Sequence, residues 1–163
     1  MRGSVPSAAP NATVPVLLDP LERRILGNES AQLVELLNRW PSAEEAPDFA
    51  PDDLQAPIAA WQTLLQPAVN DGVYRCGFAR NQAAYDRAEN ALFAALEQVE
   101  HSLHSLGPWL CGERLTLADL RLFPTLIRWE TVYSPLFGCS RRQLWQFPRI
   151  WQWRQHLFSL PGV

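Results

Sequence analysis

Between residues 80 and 106 the apolar positions recur every three or four residues. Ala84, Ala88, Leu92, Ala95, Val99 and Leu103 fall on one stripe, which predicts a long amphipathic helix over Arg80 to Leu106. The small alanines allow another helix to approach closely. Gly107-Pro108 ends the pattern, Trp109-Leu110-Cys111 reads as a segment crossing the interior, and Gly112 permits a turn. The next helix has an explicit start, because Thr116 and Asp119 have the spacing of a capping box, a device worth on the order of 1 kcal/mol. Pro124 is expected to bend that helix. A last helix starts near Pro148, with Ile150, Trp153, Leu157 and Leu160 on its inner face.

Upstream, Asp52 or Asp53 can cap a helix carrying Leu54, Ile58, Trp61 and Leu65. Pro67 either kinks or ends it, or the helix restarts after Pro67 and runs into a turn at Asn70-Asp71-Gly72. The stretch from Pro41 to Asp52 is rich in proline and acid with few large apolar groups, the composition of a linker. Before it, Val14 to Asp19 and Arg23 to Leu26 read as short strands joined by an Asp19-Pro20 turn. Asn28 is the expected cap of a helix carrying Leu33, Leu36 and Leu37. The first residues, MRGSVPSAAPNAT, bury too little apolar surface to offset the entropy of ordering. The expected organisation is a flexible tail over 1–13, a strand-strand-helix piece over 14–40, a linker over 41–51 and a helical domain over 52–163.

The 163 residues are 47% hydrophobic and 19% charged, enough for one good core. The net charge of -3 offers no basic field to attract nucleic acid, so none is expected as a partner. Charges and prolines interrupt every apolar run well short of a membrane span, and the N-terminus lacks a signal-peptide core. The expectation is therefore no membrane and a cytoplasmic location. Cys76, Cys111 and Cys139 are an odd number at wide spacing, and His101, His104 and His156 form no metal-binding pattern; reduced thiols and no metal are expected.

Two segments carry a more specific signal. The run LQPAVNDGVYRCGFARNQAAYDRA (65–88) joins a helix break, a polar turn and a tyrosine. The run LCGERLTLADLRLFPTLIRWETVY (110–133) joins the capping box to a second tyrosine. With the final LPGV, they resemble the helical half of the glutathionyl-hydroquinone reductases, the xi class of glutathione transferases. The resemblance extends over nearly everything from Thr13 to Val163. It implies a mostly α fold: an all-helical glutathione-transferase C-terminal bundle, preceded by the closing strand, strand and helix of a thioredoxin-like half. The rest of that half is missing, as is the Cys-Pro-Trp motif holding the family's nucleophile, so no catalytic cysteine is assigned and the chain alone is expected to be inactive.

The resemblance further implies glutathione as co-substrate. The backbone of Val14, beside a cis Pro15, would pair with the cysteinyl part of glutathione. Glu29 would accept from its ammonium group, and Ser30 with the helix N-terminus would hold the γ-glutamyl carboxylate. Tyr74 and Tyr133 fall at the family's electrophile-pocket positions, where a phenol can donate to a developing phenolate oxygen of a quinol-type small molecule. Cys76, beside Tyr74, lacks the helix-start position that lowers a thiol pKa and reads as structural. A homodimer through the helical half is implied, consistent with an exposed tryptophan-rich face. The competing reading is a non-catalytic helical interaction or dimerisation module of the same type, favoured by the missing cysteine and opposed by the joint presence of Glu29, Ser30, Tyr74 and Tyr133.

Overall fold

The protein was described from a computed structural model, which covers residues 14–40 and 46–163. The expected tail over 1–13 and the first part of the proposed linker, 41–45, lie outside the described residues. The chain divides into two units between Asp48 and Phe49.

In the first unit, strands β1 (Leu17–Asp19) and β2 (Arg24–Gly27) pair antiparallel, with Leu18 opposite Ile25 and Asp19 opposite Arg24. The connection is an Asp-led turn: Asp19 Oδ1 accepts from the amides of Leu21 at 2.9 Å and Glu22 at 3.0 Å. The first strand is shorter than its apolar run because Val14 and Pro15 lie outside the ladder; the Val14–Pro15 peptide is cis. Helix α1 spans Ser30–Asn38 and its cap position is held by Glu29 rather than the expected Asn28. Pairing of Leu17 with Gly27 keeps the backbone extended past residue 27, which delays the helix by one residue.

The second unit is helical. Its start differs from expectation: Asp52–Leu54 form a 3-10 turn without a side-chain cap, and helix α2 runs Gln55–Leu65. Asp53 is drawn instead to Arg114, with which it forms an ion pair. Pro67 neither ends the helical path nor starts a fresh helix. It has no amide hydrogen to bond the preceding turn, so the chain widens into a π-turn over Gln66–Asn70, where the amide of Asp71 reaches Gln66 O at 2.9 Å. Helix α3 (Gly72–Gly77) follows directly, so the expected Asn70-Asp71-Gly72 turn is helical backbone.

Helix α4 spans Gln82–Ser105, capped by Asn81 Oδ1 accepting from the amide of Ala84 at 2.9 Å. Leu92, Ala95, Val99 and Leu103 are buried as the stripe predicts, joined by Phe93 and Leu96. Ala84 and Ala88 are only half-buried, and they line an open cleft beside α3. Helix α5 (Leu117–Leu126) does not bend at Pro124 and continue. It stops two residues later, and a second π-turn over Trp129–Tyr133 leads into the short α6 (Ser134–Phe137). Helix α7 (Pro148–Phe158) closes the core with Ile150, Trp153 and Leu157, and Leu160 beyond it is only partly buried. Each fully buried leucine in such a core contributes about 2 kcal/mol.

The capping box at Thr116 does more than start a helix. Asp119 Oδ2 accepts from the Thr116 amide at 3.0 Å and hydroxyl at 3.1 Å, while Oδ1 accepts from the Leu110 amide and the Trp153 indole, both at 2.9 Å. The Leu110 carbonyl in turn accepts from the Trp61 indole at 2.9 Å. One fully buried carboxylate thus joins the interior loop, α5 and α7. Its burial pushes the carboxyl pKa up, and the four donors pull against that. Among the described residues, no helix is long and apolar enough to cross a membrane and no cluster of metal-ligating side chains is present.

Candidate functional site

Two half-turns of unusual helix bring the candidate tyrosines together. Tyr74 lies on α3, directly after the first π-turn, and Tyr133 closes the second. Their phenol oxygens are 3.0 Å apart, and the rings meet edge to face with centroids at 5.6 Å. Phe137 from α6 packs on both, at 5.4 Å from Tyr74 and 5.6 Å from Tyr133, and Phe78 lies at 6.4 Å from Tyr74. Tyr133 is buried at 2% exposure and Tyr74 is 42% exposed, so the pair has an inner and an outer member.

Burial is the first cause that raises the Tyr133 pKa, and its hydrogen bond with Tyr74 adds to it. Arg128 opposes both: it lies at the head of the same π-turn, with its carbonyl accepting from the Tyr133 amide at 3.4 Å, and its guanidinium favours the anion. Tyr133 therefore stays a phenol and a hydrogen-bond donor. Tyr74 opens onto a cleft of about 880 Å³ between the π-turn, α3 and the alanine end of α4.

Arg128, Phe78 and Phe137 escaped the sequence reading although all lie inside or beside the quoted motifs. A cation five residues before Tyr133 was visible, but its use depends on the π-turn. The cysteines are placed away from this chemistry. Cys76 and Cys139 are both buried and their thiols influence each other's ionisation, with Cys139 Sγ 3.9 Å from Val73 O. In that pair Cys139 stands as the protonated member, its pKa raised by the contact and by burial. Burial also raises the Cys111 thiol. Tyr85, the remaining tyrosine, shares its single O–H between two acceptors, Gly138 O at 2.6 Å and Glu89 Oε1 at 3.0 Å, which ties the loop after α6 to α4.

The other candidates, Val14, Glu29 and Ser30, belong to the first unit. The antiparallel register places the Val14–Pro15 peptide and the start of α1 at the same, open end of the hairpin. All three residues are exposed, and Glu29 makes no side-chain cap bond, so its carboxylate is not committed to the helix.

Residues 82–156 match the glutathione S-transferase C-terminal domain model. The chain is 37% identical over 147 residues to the glutathionyl-hydroquinone reductase PcpF of Sphingobium chlorophenolicum, covering 89% of this chain and 47% of that protein. Over the half of their length that it spans, this chain is similar to the glutathionyl-hydroquinone reductases, the xi class of the glutathione transferases. Solved structures of the family superpose closely. The glutathione-bound YqjG of Escherichia coli K-12 gives a TM-score of 0.88 at 35% identity, over 92% of this chain and 49% of that one. The xi-class transferase of Natrialba magadii gives 0.88 at 34%, over 92% and 46%. The chain thus spans about half the length of the curated relatives it matches.

The element order and these structural neighbours give the class of the fold as mostly α, with the two-stranded piece ahead of the bundle. One expectation needs correcting. Among the described residues the helical unit presents no exposed tryptophan-rich face: Trp109, Trp129 and Trp153 are buried, Trp61 and Trp151 are half-buried, and Trp145 alone of its tryptophans is mostly exposed. The indoles are used inside, as the Trp61 and Trp153 hydrogen bonds illustrate.

Proposed function

We propose that the phenol pair receives the oxygen of a quinol-type ring, and that this chain contributes that pocket to the glutathione-dependent reduction of glutathionyl-hydroquinones. The observation that carries the reading is the 3.0 Å contact between the two phenol oxygens. In this reading Tyr133 is the donor to Tyr74, which leaves the Tyr74 O–H to donate outward into the cleft. Donation from Tyr133 polarises that outer hydroxyl, and the Phe78 and Phe137 rings limit access of water, so the hydrogen bond to a developing phenolate is strengthened.

In the complete reaction a cysteine thiolate attacks the glutathionyl sulfur of the conjugate. A sulfur-sulfur bond forms, the sulfur-ring bond breaks, and its electron pair leaves with the ring, which takes up a proton and departs as hydroquinone. A second glutathione attacks the mixed disulfide, releasing the enzyme thiolate and glutathione disulfide. The backbone of Val14, the carboxylate of Glu29 and the hydroxyl of Ser30 are the glutathione contacts in this reading. None of Cys76, Cys111 or Cys139 suits the nucleophile's role, because the first and last are buried together and burial raises the pKa of the middle one. The chain alone therefore does not turn over. Cytoplasmic location and pairing of two copies through the helical unit belong to the same proposal.

The test is release of hydroquinone from its glutathione conjugate, followed by chromatography, together with equilibrium binding of hydroquinone. The chain alone is expected to show no turnover, and Tyr74→Phe is expected to weaken hydroquinone binding about tenfold, the worth of one good hydrogen bond. Turnover by the unaltered chain would refute the need for an outside thiol. Unchanged binding in both Tyr74→Phe and Tyr133→Phe would remove the phenol pair from the site.

A further inference from the structure

The cleft beside Tyr74 has a charge that the phenol pair does not explain. Its floor is the N-terminal end of the α4 stripe, Ala84, Ala88 and Ala91, whose short side chains leave a trough. Its rim carries Arg75 from α3, Arg80 from the following loop and Arg87 from α4, against one carboxylate, Asp71. Asp71 already accepts from Gln66 Nε2 at 2.8 Å. Among the described residues none of the three arginines forms an ion pair, whereas Arg114, Arg141, Arg142 and Arg154 are each matched to an acid. The nearby acids on α4 are spoken for: Asp86 accepts from Gln82 and Glu89 from Arg141. In a chain of net charge -3, three unpaired guanidinium groups around one concave apolar surface concentrate a positive potential there.

We propose that this cleft selects an aromatic compound bearing an acidic group, a carboxylate or sulfonate. The ring lies against Tyr74 and Phe78 over the alanine floor, and the acid is held by Arg75, Arg80 and Arg87. The inference rests on the reading that Tyr74 faces the substrate, and it adds the charge that substrate carries. Guanidinium suits this task because its planar donors meet both oxygens of a carboxylate at once. A volume of about 880 Å³ accommodates a ligand of two fused rings or a ring with a peptide-sized substituent. A second copy of the chain is a poorer occupant, since two such cationic rims would repel each other.

Two fluorescent probes of one shape separate charge from shape: anilinonaphthalene sulfonate and its neutral parent, phenylnaphthylamine, titrated into the full chain. The anionic dye is expected to bind at least about tenfold tighter at low ionic strength, with the preference shrinking toward about 1 M salt. Replacing Arg75, Arg80 and Arg87 together by glutamine is expected to abolish the preference while leaving the neutral dye's affinity within about twofold. Ala88→Trp, which fills the floor, is expected to expel both dyes, with the helical circular dichroism signal checking the fold. A preference that survives the triple replacement, or dyes that still bind the Ala88→Trp chain, overturns the proposal. So does dye affinity that falls as protein concentration rises and copies associate over the cleft. Tyr74→Phe keeps the charge preference even where hydroquinone binding is lost, so failure of the phenol reading and failure of the arginine rim are told apart.

Discussion

The Phe137 ring of α6 lies directly over the bare Cα of Gly77 on α3, so close that a Cβ there would fall inside van der Waals contact with three ring and side-chain carbons. That approach is what lets α3 and α6 bring Tyr74 and Tyr133 into contact, since both segments pack through Phe137. Gly77→Ala is therefore expected to cost about 1–3 kcal/mol, the range for overpacking a filled interior. Urea unfolding measures it. Phe137→Ala in the same chain, which removes the Cγ and Cδ1 carbons nearest to position 77, should recover part of the loss, a coupling that a double-mutant cycle reads directly; additive losses would mean the two residues do not oppose each other.

Asp119 accepts four hydrogen bonds from three segments, so Asp119→Asn leaves donors facing the new amide group, and stability is expected to fall by about 2–4 kcal/mol. The pH dependence has a definite sign. The folded carboxyl pKa lies above its ordinary value of 3.8, so the folded chain keeps a proton that the unfolded chain has released. The contribution of the protonated acid is fully present below that value and is lost as pH rises through the folded pKa. The gap in stability between the native chain and Asp119→Asn should thus be widest in acid and narrow upward; a gap that widens with pH contradicts the direction of the shift.

Helix α7 starts against a carboxylate from another helix. Glu100 of α4 accepts from the amides of Arg149 at 3.0 Å and Ile150 at 2.9 Å. It supplies both a cap and a negative charge at the positive end of α7. Glu100→Ala is expected to cost about 1–2 kcal/mol and Glu100→Gln roughly half as much, because glutamine keeps an acceptor but not the charge. Thermal unfolding monitored at the helical dichroism band ranks the two.

The phenols offer a spectroscopic check. Burial and the bond to Glu89 push Tyr85 up to about 12, and burial with the Tyr74 contact raises Tyr133 above the ordinary value of 10. Both phenols stay protonated in the folded chain after the unfolded chain has begun to ionise. The stability they contribute is whole below pH 10 and is lost as pH rises through their folded values. Ultraviolet titration should show Tyr85 and Tyr133 ionising above pH 10, with Tyr85→Phe removing a step near pH 12. A single step near pH 10 would mean the Tyr85 and Tyr133 environments are open to water.

What could be read without coordinates was whatever depends on neighbours along the chain. The apolar stripe of α4, the Thr116–Asp119 start of α5, Pro148 at the head of α7 and the two motif tyrosines are local patterns, set by helical periodicity and by which residues satisfy free amides. The family resemblance added the meaning of Tyr74 and Tyr133, but not their contact. That contact needs two π-turns, one containing Pro67 and one a few residues after Pro124, and whether a proline kinks, stops or widens a helix is decided by what packs on it. Tertiary structure alone also decided that Ala84 and Ala88 floor a cleft beside α3, that Arg75, Arg80 and Arg87 line it without an ion-pair partner among the described residues, and that Asp119 serves Leu110 and Trp153 as well as its own helix. Periodicity records which side of a helix is apolar, whereas burial, pairing of charges and the reach of a side chain to residues 34 to 59 positions away depend on distances that no local pattern encodes.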